Sequence, residues 1–136
     1  MARLHAFILA VVVAFAAGCA NRVTGPDVVA GTPFELKAGA AAALPNGSRL
    51  TFERVSADSR CPMDAFCVWA GDATVAVTLK APNTAAEPRE LHTQATGSQI
   101  AFSDYTITLA GLAPYPRSSQ SIQPADYSAT FVVSVR

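Results

Sequence analysis

The stretch 72-DATVAVTLK-80 decides the fold class. Val75, Val77 and Leu79 fall on one face and Thr74, Thr78 and Lys80 on the other, which is the period-two alternation of a strand with one side buried. Toward the C-terminus, 81-APNTAAEP-88 is a loop by its proline and asparagine, and PRELHTQ and SQIAF read as weaker strands. Then 104-DYTITLAGL-112 sets Tyr105, Ile107 and Leu109 against Thr106 and Thr108, and 126-DYSATFVVSVR-136 sets Tyr127, Ala129, Phe131, Val133 and Val135 against Ser128, Thr130 and Ser134. Between those two strong strands, 114-PYPRSSQSIQP-124 carries three prolines and three serines and reads as a long extended loop, with Tyr115 expected as a lid over the end of the domain.

Toward the N-terminus the same alternation returns. In 48-SRLTFERV-55, Leu50 and Phe52 oppose Thr51 and Glu53, and in 32-TPFELKA-38, Phe34 and Leu36 oppose Glu35 and Lys37. The small-residue run 38-AGAAAALPNGS-48 leaves no room for a helix between Gly39 and Pro45, so a loop or plain edge strand is expected, with a turn at Pro45-Asn46-Gly47. Residues 20–31, ANRVTGPDVVAG, lack periodicity and read as a flexible tether. About seven short strands with turn chemistry between them, and no helical period, predict an all-β domain over residues 32–136: a small antiparallel sandwich or a partly open barrel.

The first residues have a different character. Arg3 and His5 precede an uncharged apolar run, Ala6 to Ala17, whose 12 residues fall short of the roughly 20 that span a bilayer, so residues 1–18 read as an export signal. Ala16-Ala17-Gly18-Cys19 resembles the lipobox of bacterial lipoproteins, although Ala16 stands where that motif usually has Leu. The resemblance implies lipid on Cys19 and a tether from residue 19 to 31. With Ala20, rather than Asp, after the cysteine, it also implies the outer membrane, on the periplasmic side. Several acyl chains anchor a protein effectively for good, since each buried methylene adds about 0.8 kcal/mol.

Cleavage before Cys19 would leave 118 of the 136 residues, enough for one domain and not for two. Nine basic and ten acidic residues remain, interspersed, so nucleic acid and anionic lipid surfaces are poor electrostatic partners. The partners expected are the membrane, through Cys19, and an envelope protein or small ligand.

Two cysteines then remain, in 58-DSRCPMDAFCVWAG-71. Their C-x5-C spacing fits neither a redox C-x-x-C nor paired zinc knuckles, and in an exported chain it reads as a Cys61–Cys67 disulfide. Closing seven residues stabilises the fold by about 2.4 kcal/mol through loop-closure entropy. Cys61, Met63 and Cys67 would also suit Cu(I), but the disulfide removes two of the three donors. Asp58, Asp64 and Asp72 match no EF-hand spacing and are expected to cap turns or pair with Arg60; beside a thiol they would oppose its activation. No metal or cofactor is therefore expected. Trp69, at the start of a strand, is expected to pack on the disulfide. The candidate binding surface is Arg60, Met63, Asp64, Phe66, Trp69, Tyr115 and Arg117, because rigid loops on β-scaffolds commonly carry recognition.

At Asp58, Ser59, Arg60, Cys61, Pro62, Cys67, Trp69, Ala70 and Gly71 the chain resembles a family of small exported bacterial proteins, often lipoproteins, with a DSRCP…CxWAG signature. The likeness runs from the strand at Phe34 through the turn at Tyr115 to the closing strand 126-DYSATFVVSV-135. It implies fold and location, and no activity. Nor do the residues suggest a catalyst. The domain has one histidine, His92, expected to face solvent on a strand with Glu90, and there is no G-x-S-x-G elbow or HExxH motif.

Overall fold

Val75, Val77 and Leu79 are fully buried, as their alternation requires, and they line one wall of a two-layer core. The computed structural model describes residues 25–136; the expected signal segment 1–18, Cys19 and the first part of the expected tether lie outside the described residues. Eight strands follow one another: β1 (Phe34–Lys37), β2 (Ala41–Ala43), β3 (Arg49–Asp58), β4 (Ala73–Lys80), β5 (Glu87–His92), β6 (Gln99–Phe102), β7 (Tyr105–Ala113) and β8 (Ser128–Val135). One turn of 3-10 helix, Pro124–Asp126, leads into β8.

The strands form two four-stranded antiparallel sheets, ordered β1-β8-β7-β6 and β2-β3-β4-β5. They do not close into a barrel, so the architecture is a β-sandwich. Apolar side chains meet between the layers: Leu36, Ile107, Phe131 and Val133 from the first sheet, Leu50, Phe52, Leu79 and Leu91 from the second. The Phe52 and Phe131 rings meet edge to face across the layers at 6.2 Å, a geometry that suits the aromatic quadrupole.

The small-residue run supplies β2, a three-residue edge strand, and Asn46 closes the following turn by accepting the Ser48 N–H. Residues 25–31 differ from a plain tether. Val28 is buried in the core, the Gly31 N–H donates to the Val133 carbonyl at 2.8 Å, and Gly25 lies so close to β2 that a Cβ there would collide with the Ala41 carbonyl. This segment therefore covers the side of the sandwich where β1 and β2 would otherwise leave an open seam.

Two irregularities shape the end of the sandwich that carries residues 58–71. In β3 the register shifts at Phe52/Arg54 and again at Val55/Ala57, so the strict in-out alternation ends after Phe52, while the strand stays paired with β4 as far as Asp58. In β7 the register with β8 shifts at Leu109/Gly111, and β6 pairs only with Tyr105 to Thr108, so β7 continues beyond the end of its neighbour.

Candidate functional site

Asp58 and Arg60 join the two sheets where β3 ends. Arg60, only 7% exposed, is gripped at both ends of its fork by Asp58: Nε donates to Oδ1 at 2.8 Å and Nη2 to Oδ2 at 2.6 Å. Nη1 donates to the Leu112 carbonyl at 2.7 Å and Nη2 to the Pro114 carbonyl at 3.0 Å, and the Tyr115 ring lies 5.0 Å above the guanidinium. The Tyr127 hydroxyl donates to Asp58 Oδ2 at 3.0 Å. Burial pushes the Asp58 carboxyl up, but hydrogen bonds from the Arg60 side chain and backbone and from Tyr127 outweigh it, and the net shift is downward. Burial, together with the Asp58 carboxylate that its hydroxyl faces, pushes the Tyr127 phenol up to about 12.

Arg60, expected on the binding surface, is largely buried: its guanidinium is held by internal partners, including the carbonyls of Leu112 in β7 and of Pro114 just past it, and it lines the neighbouring cleft. Asp58 pairs with Arg60 as the sequence predicts.

Beyond Arg60 the chain forms a narrow neck. The Ser59 N–H donates to the Asp72 carbonyl at 2.7 Å and the Cys61 N–H to the Ala70 carbonyl at 2.8 Å. Gly71 closes the neck with φ +72°, and a Cβ there would run into the Ser59 carbonyl. The left-handed backbone and the close approach both demand glycine.

Past the neck, the Cys61–Cys67 disulfide holds two Cα atoms 5.9 Å apart and encloses the loop. That loop docks on the 114–124 segment. The Met63 N–H donates to the Pro116 carbonyl at 3.0 Å, and Asp64 Oδ1 accepts from the Ser118 N–H at 2.8 Å and its hydroxyl at 3.1 Å. The Ser118 backbone bond is the main cause holding the Asp64 carboxyl below its usual value. Arg117, exposed nearby, accepts the Gln120 N–H through its carbonyl in a small turn. The two loops that share the candidate surface in the sequence are thus in direct contact.

Its crown is apolar. Phe66 and Val68 are fully exposed, Met63 is 63% and Trp69 61% exposed, and Tyr115 is 47% exposed. Trp69 therefore does not fill the core, nor does it begin a strand; β4 starts four residues later. Val68 was not singled out in the sequence. Tyr115 half covers Arg60 rather than sealing the end of the sandwich.

Beside this crown lies an open cleft of about 470 Å³ between Gly71, Gln94, Leu109, Leu112 and Tyr115. Next to Thr93 and Gln94, which line it, His92 is not free on a strand face. Its Nδ1 lies 2.6 Å from Asp72 Oδ2, while Asp72 Oδ1 accepts from the Thr93 hydroxyl at 2.9 Å and the Gln94 N–H at 3.1 Å. Burial raises the Asp72 carboxyl, and the bonds from His92, Thr93 and Gln94 lower it further than burial raises it. The expected turn-capping role of the acids holds for Asp64 and Asp72. Among the described residues no hydroxyl or thiol hydrogen-bonds to His92, and no three His, Cys, Asp or Glu side chains form a group able to hold a metal.

With sandwich, disulfide loop and crown defined, the class is that of a small two-sheet β domain with a stapled, apolar loop at one end. The chain matches no protein-family model, no curated protein and no solved structure.

Proposed function

We propose that the chain is a lipid-anchored, non-enzymatic module of the bacterial envelope, held through Cys19 in the outer membrane and facing the periplasm, whose joined loops recognise another envelope component. One observation carries this reading: a disulfide, a hydrogen-bonded neck and the Asp64–Ser118 contacts hold rigid a loop that displays Met63, Phe66, Val68 and Trp69 to solvent. Exposed apolar side chains are common singly; four within seven residues mark an interaction surface. A photo-crosslinking side chain at position 66 in cells should form an adduct that disappears when Val68 and Trp69 are replaced by serine. Absence of any adduct would sink the recognition reading.

The alternative is a metal- or small-ligand-binding protein using residues 58–72, and the cleft beside the crown is what favours it. Against it, Asp58 and Asp72 already receive hydrogen bonds from internal donors, and both cysteine sulfurs are in the disulfide. Equilibrium dialysis against copper and calcium should show retention of neither.

A further inference from the structure

Phe66 is 109% and Val68 105% exposed, so no neighbouring residue covers either side chain. Among the described residues the other large exposed apolar residues, Val29 and Val135, lie outside this loop. A stapled spike of uncovered apolar side chains is stabilised by entering an apolar medium. The spike also bears the domain's single tryptophan, a side chain favoured at the water–hydrocarbon boundary. Asp64, the carboxylate within the loop, is turned back onto Ser118 and does not lead the tip.

The chain upstream supplies the reason for choosing the bilayer as that medium. Because Gly25 already packs on β2, only five residues lie between it and Cys19. The six Cα-to-Cα steps from Cys19 to Gly25 reach about 21 Å at full extension. A lipid on Cys19 would thus keep the whole domain within about its own diameter of the membrane, at high effective concentration. Gly25 lies near Ala41, whose partner is Thr51, and β3 rises some seven residues from Thr51 to Asp58, about 23 Å. Tether and tip can meet one membrane plane only if the strands lie inclined to it.

We infer that the 61–70 loop is a membrane-inserting tip, and that Phe66, Val68, Trp69 and Met63 enter the interface of the bilayer that holds Cys19. This rests on the lipid-anchor reading and names the partner of the same surface. Insertion is driven by apolar burial and needs no basic patch, in keeping with the near-neutral charge.

The test uses Trp69 as the reporter. Protein purified from bacterial membranes is reconstituted into phosphatidylcholine vesicles with or without bromine on the acyl chains, and intact mass records the lipid on Cys19 separately. The expected result is a blue-shifted emission quenched by the brominated chains. In a Phe66→Asp, Val68→Asp variant the quenching should fall about tenfold while the lipid mass and thermal unfolding stay unchanged. Unquenched Trp69 in a chain that carries the lipid overturns the insertion and leaves the anchor standing. If the chain carries no lipid, the anchor fails by itself; quenching on simple addition of vesicles then still supports the tip, and its absence overturns it. A blue shift that grows with protein concentration without vesicles assigns the tip to a second copy and also overturns the proposal.

Discussion

Nη2 of Arg60 stands 2.6 Å from Oδ2 of Asp58, while Nη1 of the same guanidinium donates across the sandwich to the Leu112 carbonyl at 2.7 Å. The pair is a tie between the sheets as well as a salt bridge. Removing one partner leaves the other charged and buried, which costs about 3–5 kcal/mol. Arg60→Ala should lower the unfolding free energy extrapolated from urea titration by that amount, and Arg60→Lys should recover little of it, because an ammonium lacks the planar fork that serves Asp58 and two carbonyls together. A lysine variant as stable as the parent would show that the fork geometry contributes nothing.

The same cluster makes stability depend on pH at both extremes. Asp58 is lowered in the folded state, so its contribution is present above the unfolded carboxylate value near 3.8 and is lost as pH falls through the lower folded value. Tyr127 is raised from 10.0 to about 12, so its contribution is complete below pH 10 and is lost as pH rises toward 12. Denaturant titrations across the alkaline range should show this loss in the parent and not in Tyr127→Phe.

Gly71→Ala should destabilise the domain by about 2–4 kcal/mol, combining a disfavoured positive φ with a clash against backbone that has no room to yield. Thermal unfolding followed by circular dichroism measures it. An alanine variant of parental stability would mean that the neck rearranges freely.

Reducing the disulfide should cost about 2.4 kcal/mol and loosen the loop locally. Amide exchange at Met63 and Ala65, whose N–H groups bond to Pro116 and Pro62, should accelerate on reduction while Ile107 and Val77 stay protected. Equal acceleration everywhere would show that the disulfide stabilises only the global fold.

The strands were legible because one-sided burial imposes a period of two: Phe34, Leu50, Val77, Ile107 and Phe131 all point inward as the alternation requires. β2 was only half legible, since alanine carries no facial contrast. The bulges at Phe52/Arg54 and Leu109/Gly111 left no period to detect, and they decide where β3 and β7 deliver Asp58 and Leu112. The disulfide followed from cysteine number and compartment. Arg60 lies deeper than its place on the expected binding surface implied, because Asp58 and the carbonyls of Leu112 and Pro114 draw the guanidinium in. Trp69 is exposed on that expected surface, but in the stapled loop and not at the start of a strand. The docking of Asp64 on Ser118 spans 54 positions, a distance no local pattern encodes.

The placement of β8 between β1 and β7 sets a timetable for the chain. Phe34 finds its sheet partner in Phe131, almost at the other end of the sequence, so β1 has nothing to pair with until the last strand is present. β3, β4 and β5 can assemble as successive hairpins, whereas the opposite layer waits for its keystone, and long-range closure of this kind is slow. A chain emerging N-terminus first would stay unfinished until β8 appeared, and a chain truncated before Ser128 would have one sheet and an uncovered core.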